Sequence, residues 1–222
     1  MAKSALLKSS IAKKVAMALS GLFLIMFLAL HFFINLTSVF SADVFNELSH
    51  FMGYNPLIQF VMQPVLVAGV VFHFVMGIVL EIKNRKARPI GYANYNGAAN
   101  ASWASRNMII SGLVVLAFLG LHFYDFWLQE IVYKYVVVNT IEETRYFPEL
   151  VHKFESPIRT GLYSLAFILL AIHLWHGFNS SFQSVGFNNK YSKALHKLGY
   201  TFAIVVPFGF IFIALFHHFN QI

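Results

Sequence analysis

Five long apolar runs, separated by polar connections, dominate the chain. Each is long enough to cross ~30 Å of hydrocarbon, which takes about 20 helical residues. They fall near Val15–Phe40, Pro56–Ile82, Met108–Tyr133, Ile158–Phe182 and Leu198–Phe219. The pattern predicts an all-α, membrane-embedded bundle of five transmembrane helices, a single domain over residues 1–222. The first run is too long and too smoothly continued for a signal peptide. It also lacks a small-residue cleavage motif, so it reads as a retained helix. Pro64 and Pro207 fall inside runs, where a bundle tolerates them as kinks. The connection 84–107, rich in Gly, Ala and Asn and carrying Tyr92 and Tyr95, reads as irregular structure; the acidic connection 134–157 has room for a short surface helix. No repeat of fixed period stands out.

Composition adds exclusions. Apolar residues make up 58% and charged residues 11%, with a mean hydropathy of +0.65. A soluble domain carries about 25% charged residues, so this chain cannot cover a water-facing surface. With no cysteine, disulfide scaffolds, iron–sulfur ligation, thiolate zinc sites and covalently attached c-type haem are all ruled out. The net charge of +7 is a matter of topology. Twelve of the 16 basic residues lie in three alternate polar segments: Lys3, Lys8, Lys13 and Lys14; Lys83, Arg85, Lys86, Arg88 and Arg106; Lys190, Lys193 and Lys197. The other connections carry Asp43, Glu47, Glu130, Glu142, Glu143, Glu149 and Glu155. By the positive-inside rule the N-terminus is cytoplasmic and the C-terminus outside.

Candidate chemistry lies with the histidines. His31, His73, His122 and His173 sit one on each of the first four runs, and an ionisable group in a span is a functional candidate by default. A histidine bonded to a neighbouring helix explains any one of them equally well. Depth separates the two readings. His31 lies 16 residues after Val15 and His122 16 after Arg106, each roughly 24 Å from the cytoplasmic end at ~1.5 Å per residue. His73 lies 10 residues before Lys83 and His173 11 before Ser184, roughly 15 Å from the same side. Two layers of two result: an inner pair, His73 and His173, and an outer pair, His31 and His122. Bis-histidine ligation of b-type haem needs such facing imidazoles on separate helices, and the layers supply it twice.

Small residues near the ligands, Gly21, Gly69, Gly77, Gly112, Gly120 and Gly161, would make room for a porphyrin, though close helix packing explains each as well. His176 shares a face with His173 and is a rival ligand. His217 and His218 lie at the outer end of the last run, His50 and His152 in outer connections and His196 in an inner one.

At these residues the chain resembles the cytochrome b membrane anchor of bacterial succinate:quinone oxidoreductases (succinate dehydrogenase and fumarate reductase), of the single-chain, five-helix, di-haem type. The resemblance covers nearly the whole chain. Its most specific pieces are H-L-W-H-G-F-N-S-S-F-Q-S-V-G from His173 to Gly186, S-R-N-M-I-I-S-G from Ser105 to Gly112 and H-F-V-M-G-I from His73 to Ile78, with K-K-V-A-M-A-L-S-G leading to His31. It implies two haem b groups ligated first helix to third and second to fourth, with His173 rather than His176 the ligand in H-x-x-H-G. It implies a respiratory-chain enzyme linked to the tricarboxylic acid cycle, in the bacterial cytoplasmic (inner) membrane. This chain would be its electron-transfer and quinone-reactive subunit, without a dicarboxylate site of its own. The partners implied are a flavoprotein subunit with FAD and an iron–sulfur subunit, both on the cytoplasmic face.

Ser105, Arg106 and Trp103 have the chemistry for a haem propionate or a quinone near the inner haem; Arg106 serves equally as a topology anchor. The quinone, menaquinone in this family type, is expected near the outer haem. Glu47 and His50 have the right chemistry and side to exchange its protons, and Asn46 and Gln59 to bond its carbonyls. Ordinary interfacial polar residues need no such role. Some fumarate-reducing relatives carry a Glu two positions before the fourth ligand; here that residue is Ala171, which favours succinate oxidation. Two other classes stand beside this reading: the di-haem b anchor of another respiratory dehydrogenase (hydrogenase or formate dehydrogenase), and a haem-free transporter whose buried histidines form a path.

Overall fold

A computed structural model describes residues 9–87, 103–137, 141–187 and 189–220. Lys3, Lys8, Arg88, Tyr92 and Tyr95 lie outside the described residues. The described chain runs through α1 (Ser10–Thr37), α2 (Ala42–Tyr54), α3 (Ile58–Lys86), the single turn α4 (Trp103–Arg106), α5 (Met108–Val137), α6 (Tyr146–Glu155), α7 (Pro157–Ser184) and α8 (Ser192–Phe219). No strand occurs among the described residues. Five of the helices, α1, α3, α5, α7 and α8, are long and apolar enough to cross a membrane, which gives the chain its transmembrane character.

Local chemistry sets the helix ends. Ser9, Ser41 and Ser156 cap α1, α2 and α7 by accepting from the backbone N–H three residues on. Pro157 follows Ser156 at the first helical position, where its missing N–H costs nothing. At the head of α3 the Asn55 side chain accepts from Leu57 N and Ile58 N at 3.0 and 3.3 Å. A π-helical turn, Ile58–Met62, then precedes Pro64, which has no N–H to continue the ladder. The α7–α8 corner turns at Gly186, whose φ of +87° suits a residue without Cβ. Phe187 N bonds Phe182 O at 3.0 Å and Gly186 N bonds Gln183 O at 3.2 Å, the paired bonds of a Schellman ending.

Several boundaries differ from the hydropathy expectation. Helix α1 begins at Ser10 and stops at Thr37, short of Phe40; α5 runs on to Val137; and α8 begins at Ser192, six residues before Leu198. Helices continue past the apolar core into polar turns, at α1 behind the Ser9 cap, which hydropathy does not register. Helix α2, in the connection after the first span, was not expected; α6 fills the acidic connection, where a short helix was.

The protein-packed core lies towards one end. Phe45 of α2, Leu150 and Phe154 of α6, Tyr163 and Phe167 of α7, and Val206, Phe210, Ile213 and Ala214 of α8 form one buried cluster. Ser38, just after α1, bonds His217 near the end of α8 at 2.8 Å, so these two helices finish together. That end is the far end of the bundle, and the end where α1 and α8 begin is the near end. Helix α3 has no buried residue: its side chains face a cavity or the outside of the bundle.

Candidate functional site

One cavity of about 730 Å³ runs between α1, α3, α5 and α7, within the range of cofactor sites. Its walls are mostly aliphatic and aromatic, from Met17, Glu81, Asn84 and Ser105 near one end to Asn35, Gln63 and Trp127 near the other. His31, His73, His122 and His173 all line it. His31 faces His122 with ring centroids 5.7 Å apart, and His73 faces His173 at 6.4 Å. His176 is half-buried and does not line the cavity.

The separations allow a test of fit. An imidazole nitrogen coordinates a transition metal at about 2.0–2.1 Å and lies roughly 1.1 Å from its ring centroid, so rings on opposite sides of one ion stand roughly 6.3 Å apart. Both pairs are near that value, in near-perpendicular orientations of 83° and 71°. Among the described residues no three His, Asp or Glu converge on a self-contained metal site. An ion held by either pair would take its remaining ligands from a prosthetic group, and a broad apolar cavity suits a macrocycle. The donor set fits haem with two axial histidines.

Surroundings distinguish the pairs. At the near pair, Ser20 Oγ lies 3.0 Å from His73 Nδ1, and Ser111 Oγ 3.2 Å from His173 Nδ1. Gly21 and Gly112, next in sequence, lie against the same rings: a Cβ at either would stand 3.4–3.5 Å from the His73 or His173 Cε1. At the far pair His31 stacks on Phe27 at 5.4 Å, and His122 is ringed by Phe118, Phe126 and Tyr163. His122 Nδ1 is buried with no hydrogen-bond partner. Ser20 to His31 spans 11 residues of one helix, so the two levels stand ~16 Å apart. The count from span ends gives roughly 9 Å, because the helix ends do not lie at one level: Ser20 stands well inside α1, whereas Ser111 lies in the first turn of α5.

The six glycines divide. Gly21, Gly77 and Gly112 line the cavity. Gly69 admits Phe23, which would lie 2.8 Å from a Cβ there, and Gly120 and Gly161 face open space. Ser105 lines the cavity, whereas Trp103 and Arg106 are exposed on α4. None of Asn46, Glu47, His50 and Gln59 is among the lining residues. Buried Asn46 accepts from Phe147 N at 2.8 Å, tying α2 to α6. His50 stacks on Tyr54 at 4.5 Å with Glu143 at 3.8 Å, Gln59 donates to the Tyr135 hydroxyl, and Glu47 is exposed. The remaining histidines have partners: His217 with Ser38, His218 with Phe154 O, His152 with Glu155 and His196 with Asn179.

Two features escaped the sequence reading. Asp125 is fully buried three residues after His122, in a π-helical turn, Phe123–Trp127. Arg159 grips it in a two-pronged pair at 2.8 and 2.7 Å, and the Tyr163 hydroxyl donates to it at 3.0 Å. An acid alone inside an apolar run was the available signal. Below it, Arg145 bridges Glu130 and Glu149, while Lys134 reaches Glu130 and donates to Gly53 O. Burial opposes the Arg145 charge, but its bonds to Glu130 and Glu149 outweigh that and hold its pKa raised. Burial first, then the Glu130 charge, raises the Tyr146 hydroxyl.

The second feature is a repeat. Ser20–His31 and Ser111–His122 share Ser-Gly-Leu at the start and Phe-Leu-x-Leu-His at the end, and His73 and His173 are each followed four residues on by a glycine, Gly77 and Gly177. A search at fixed period misses it: the offset is 91 residues between His31 and His122 but 100 between His73 and His173. Comparison with known protein families, with curated proteins and with solved structures finds no match.

Proposed function

We propose that the chain is the di-haem b membrane anchor of a succinate:quinone oxidoreductase in a bacterial cytoplasmic membrane. The observation that carries the electron-transfer reading is the pair of facing imidazole couples at two levels of one apolar cavity. Bound there, two b-type haems supply reversible one-electron carriers. His73 with His173 would hold the one at the near end, and His31 with His122 the one at the far end. Held by two histidines each, the haems would supply electron transfer rather than oxygen activation. The aliphatic walls keep water from the route, and the glycines against His73 and His173 keep space beside the rings.

The dicarboxylate reading rests on the resemblance and on charge. The near end, with Lys13, Lys14, Lys83, Arg85, Lys86 and Arg106, is the cytoplasmic end in this orientation. There it would meet an iron–sulfur subunit, itself joined to an FAD-bearing flavoprotein. Menaquinone would react at the far end, and the direction favoured is succinate oxidation.

An optical difference spectrum of the detergent-purified chain, with pyridine haemochrome quantification, tests the proposal. Two b haems per chain are expected, one lost in His31→Ala and the other in His73→Ala. Folded protein without haem would overturn the reading in favour of a histidine-lined transport path. Co-purification with a hydrogenase or formate dehydrogenase instead of a flavoprotein would reassign the complex.

A further inference from the structure

What holds the second nitrogen of each ring differs between the two pairs. A serine hydroxyl has one proton to give. Ser20 gives it to Met17 O at 2.8 Å, and Ser111 to Met108 O at 3.0 Å, each three residues back in its own helix. Towards the histidine each oxygen can then only accept. The contacts at 3.0 and 3.2 Å are therefore Nδ1–H···Oγ bonds. His73 and His173 are both held in the Nδ1–H tautomer, with Nε2 left as a bare lone pair. The far pair has no such hydroxyl: His31 Nδ1 has the Asn35 amide at 3.4 Å, and His122 Nδ1 is buried without a partner.

We propose that Ser20 and Ser111 are positioning residues which fix the tautomer of His73 and His173 and thereby lower the reduction potential of the haem between them. This rests on the di-haem reading above. A histidine whose second N–H is hydrogen-bonded is oriented and made a stronger donor to its metal, and a stronger axial donor favours the oxidised iron. The same device on two helices argues against accident. Each serine is followed by a glycine that lies beside the same ring, and each stands 11 residues before a far-pair histidine. Helices α1 and α5 thus each contribute one ligand at the far level and one ligand support at the near level.

The test is an optical redox titration of the full chain in detergent. Ser20→Ala and Ser111→Ala should each keep two haems and move the midpoint potential of one upwards, the one that disappears in His73→Ala. Ser20→Thr and Ser111→Thr keep the hydroxyl and should titrate as wild type. Ser180→Ala, whose hydroxyl bonds only Gly177 O among the described residues, at 3.1 Å, should change nothing. Should an alanine variant lose that haem, its retention in the threonine variant supports the proposal, and its loss there as well overturns it. Alanine variants with both potentials unchanged also overturn it, as does a shift of the other haem. A wild-type chain without haem overturns the di-haem reading, and this inference with it, before any variant is made.

Discussion

The two histidine pairs share a cavity, yet their surroundings are built on opposite plans. Around His73 and His173 the helices offer small groups, two serine hydroxyls and two glycines, and much of the wall belongs to α3, which buries nothing. Around His31 and His122 they offer Phe27, Phe118, Phe126, Tyr163 and Phe210, an ion pair made by the fully buried Asp125, and a cover of α2 and α6. The far region holds the large buried cluster. The near region holds a smaller one, with Leu174, Phe178 and Ala203 buried on α7 and α8. Substitutions at the far level should therefore cost stability first, and substitutions at the near level should alter what the cavity holds first.

The ion pair gives the strongest way to break that contrast. Asp125→Ala leaves the buried Tyr163 hydroxyl without its acceptor and unpairs Arg159, whose side chain is only partly buried, and should cost about 1.5–3 kcal/mol, seen as a lowered thermal midpoint in detergent. A variant as stable as wild type would mean that the Tyr163 hydroxyl finds another acceptor. A matched glycine comparison is sharper. A Cβ at Gly209 would overlap the Phe32 ring, so Gly209→Ala should cost about 1–3 kcal/mol through overpacking. Asn46→Ala, which strands the Phe147 N–H beneath α2, should cost about 1–2 kcal/mol; an unchanged midpoint would show that the α2–α6 tie is dispensable. Gly112→Ala, at the near level, should behave in the opposite sense. Its Cβ meets His173 Cε1 at 3.5 Å, an ordinary contact, so the haem-free protein should gain about 0.5–1 kcal/mol from the better helix former, while haem occupancy falls. Equal losses of stability at Gly112 and Gly209 would erase the distinction between the regions.

The spans were readable because each is a continuous apolar run, and the four span histidines because ionisable groups stand out there. Their ends were not readable, since serine caps and amphipathic turns extend or stop a helix without changing its hydropathy. Helix α2 stayed hidden for a related reason. Its Phe45 and Asn46 are buried only because α6 folds over them, and a mixed segment of 13 residues has no periodicity strong enough to announce that. Asp125 was passed over because its partner, Arg159, lies 34 residues away across two helices.

By itself the sequence determined the number and apolar nature of the spans, and which helix carries each histidine, because both follow from local composition and a rise of ~1.5 Å per residue. Which groups meet was decided by tertiary structure alone. The Ser20 contact to His73, the Ser111 contact to His173 and the grip of Arg159 on Asp125 depend on how each helix is rotated about its axis. Rotation is set by side-chain packing between helices, and no run of residues within one helix encodes it.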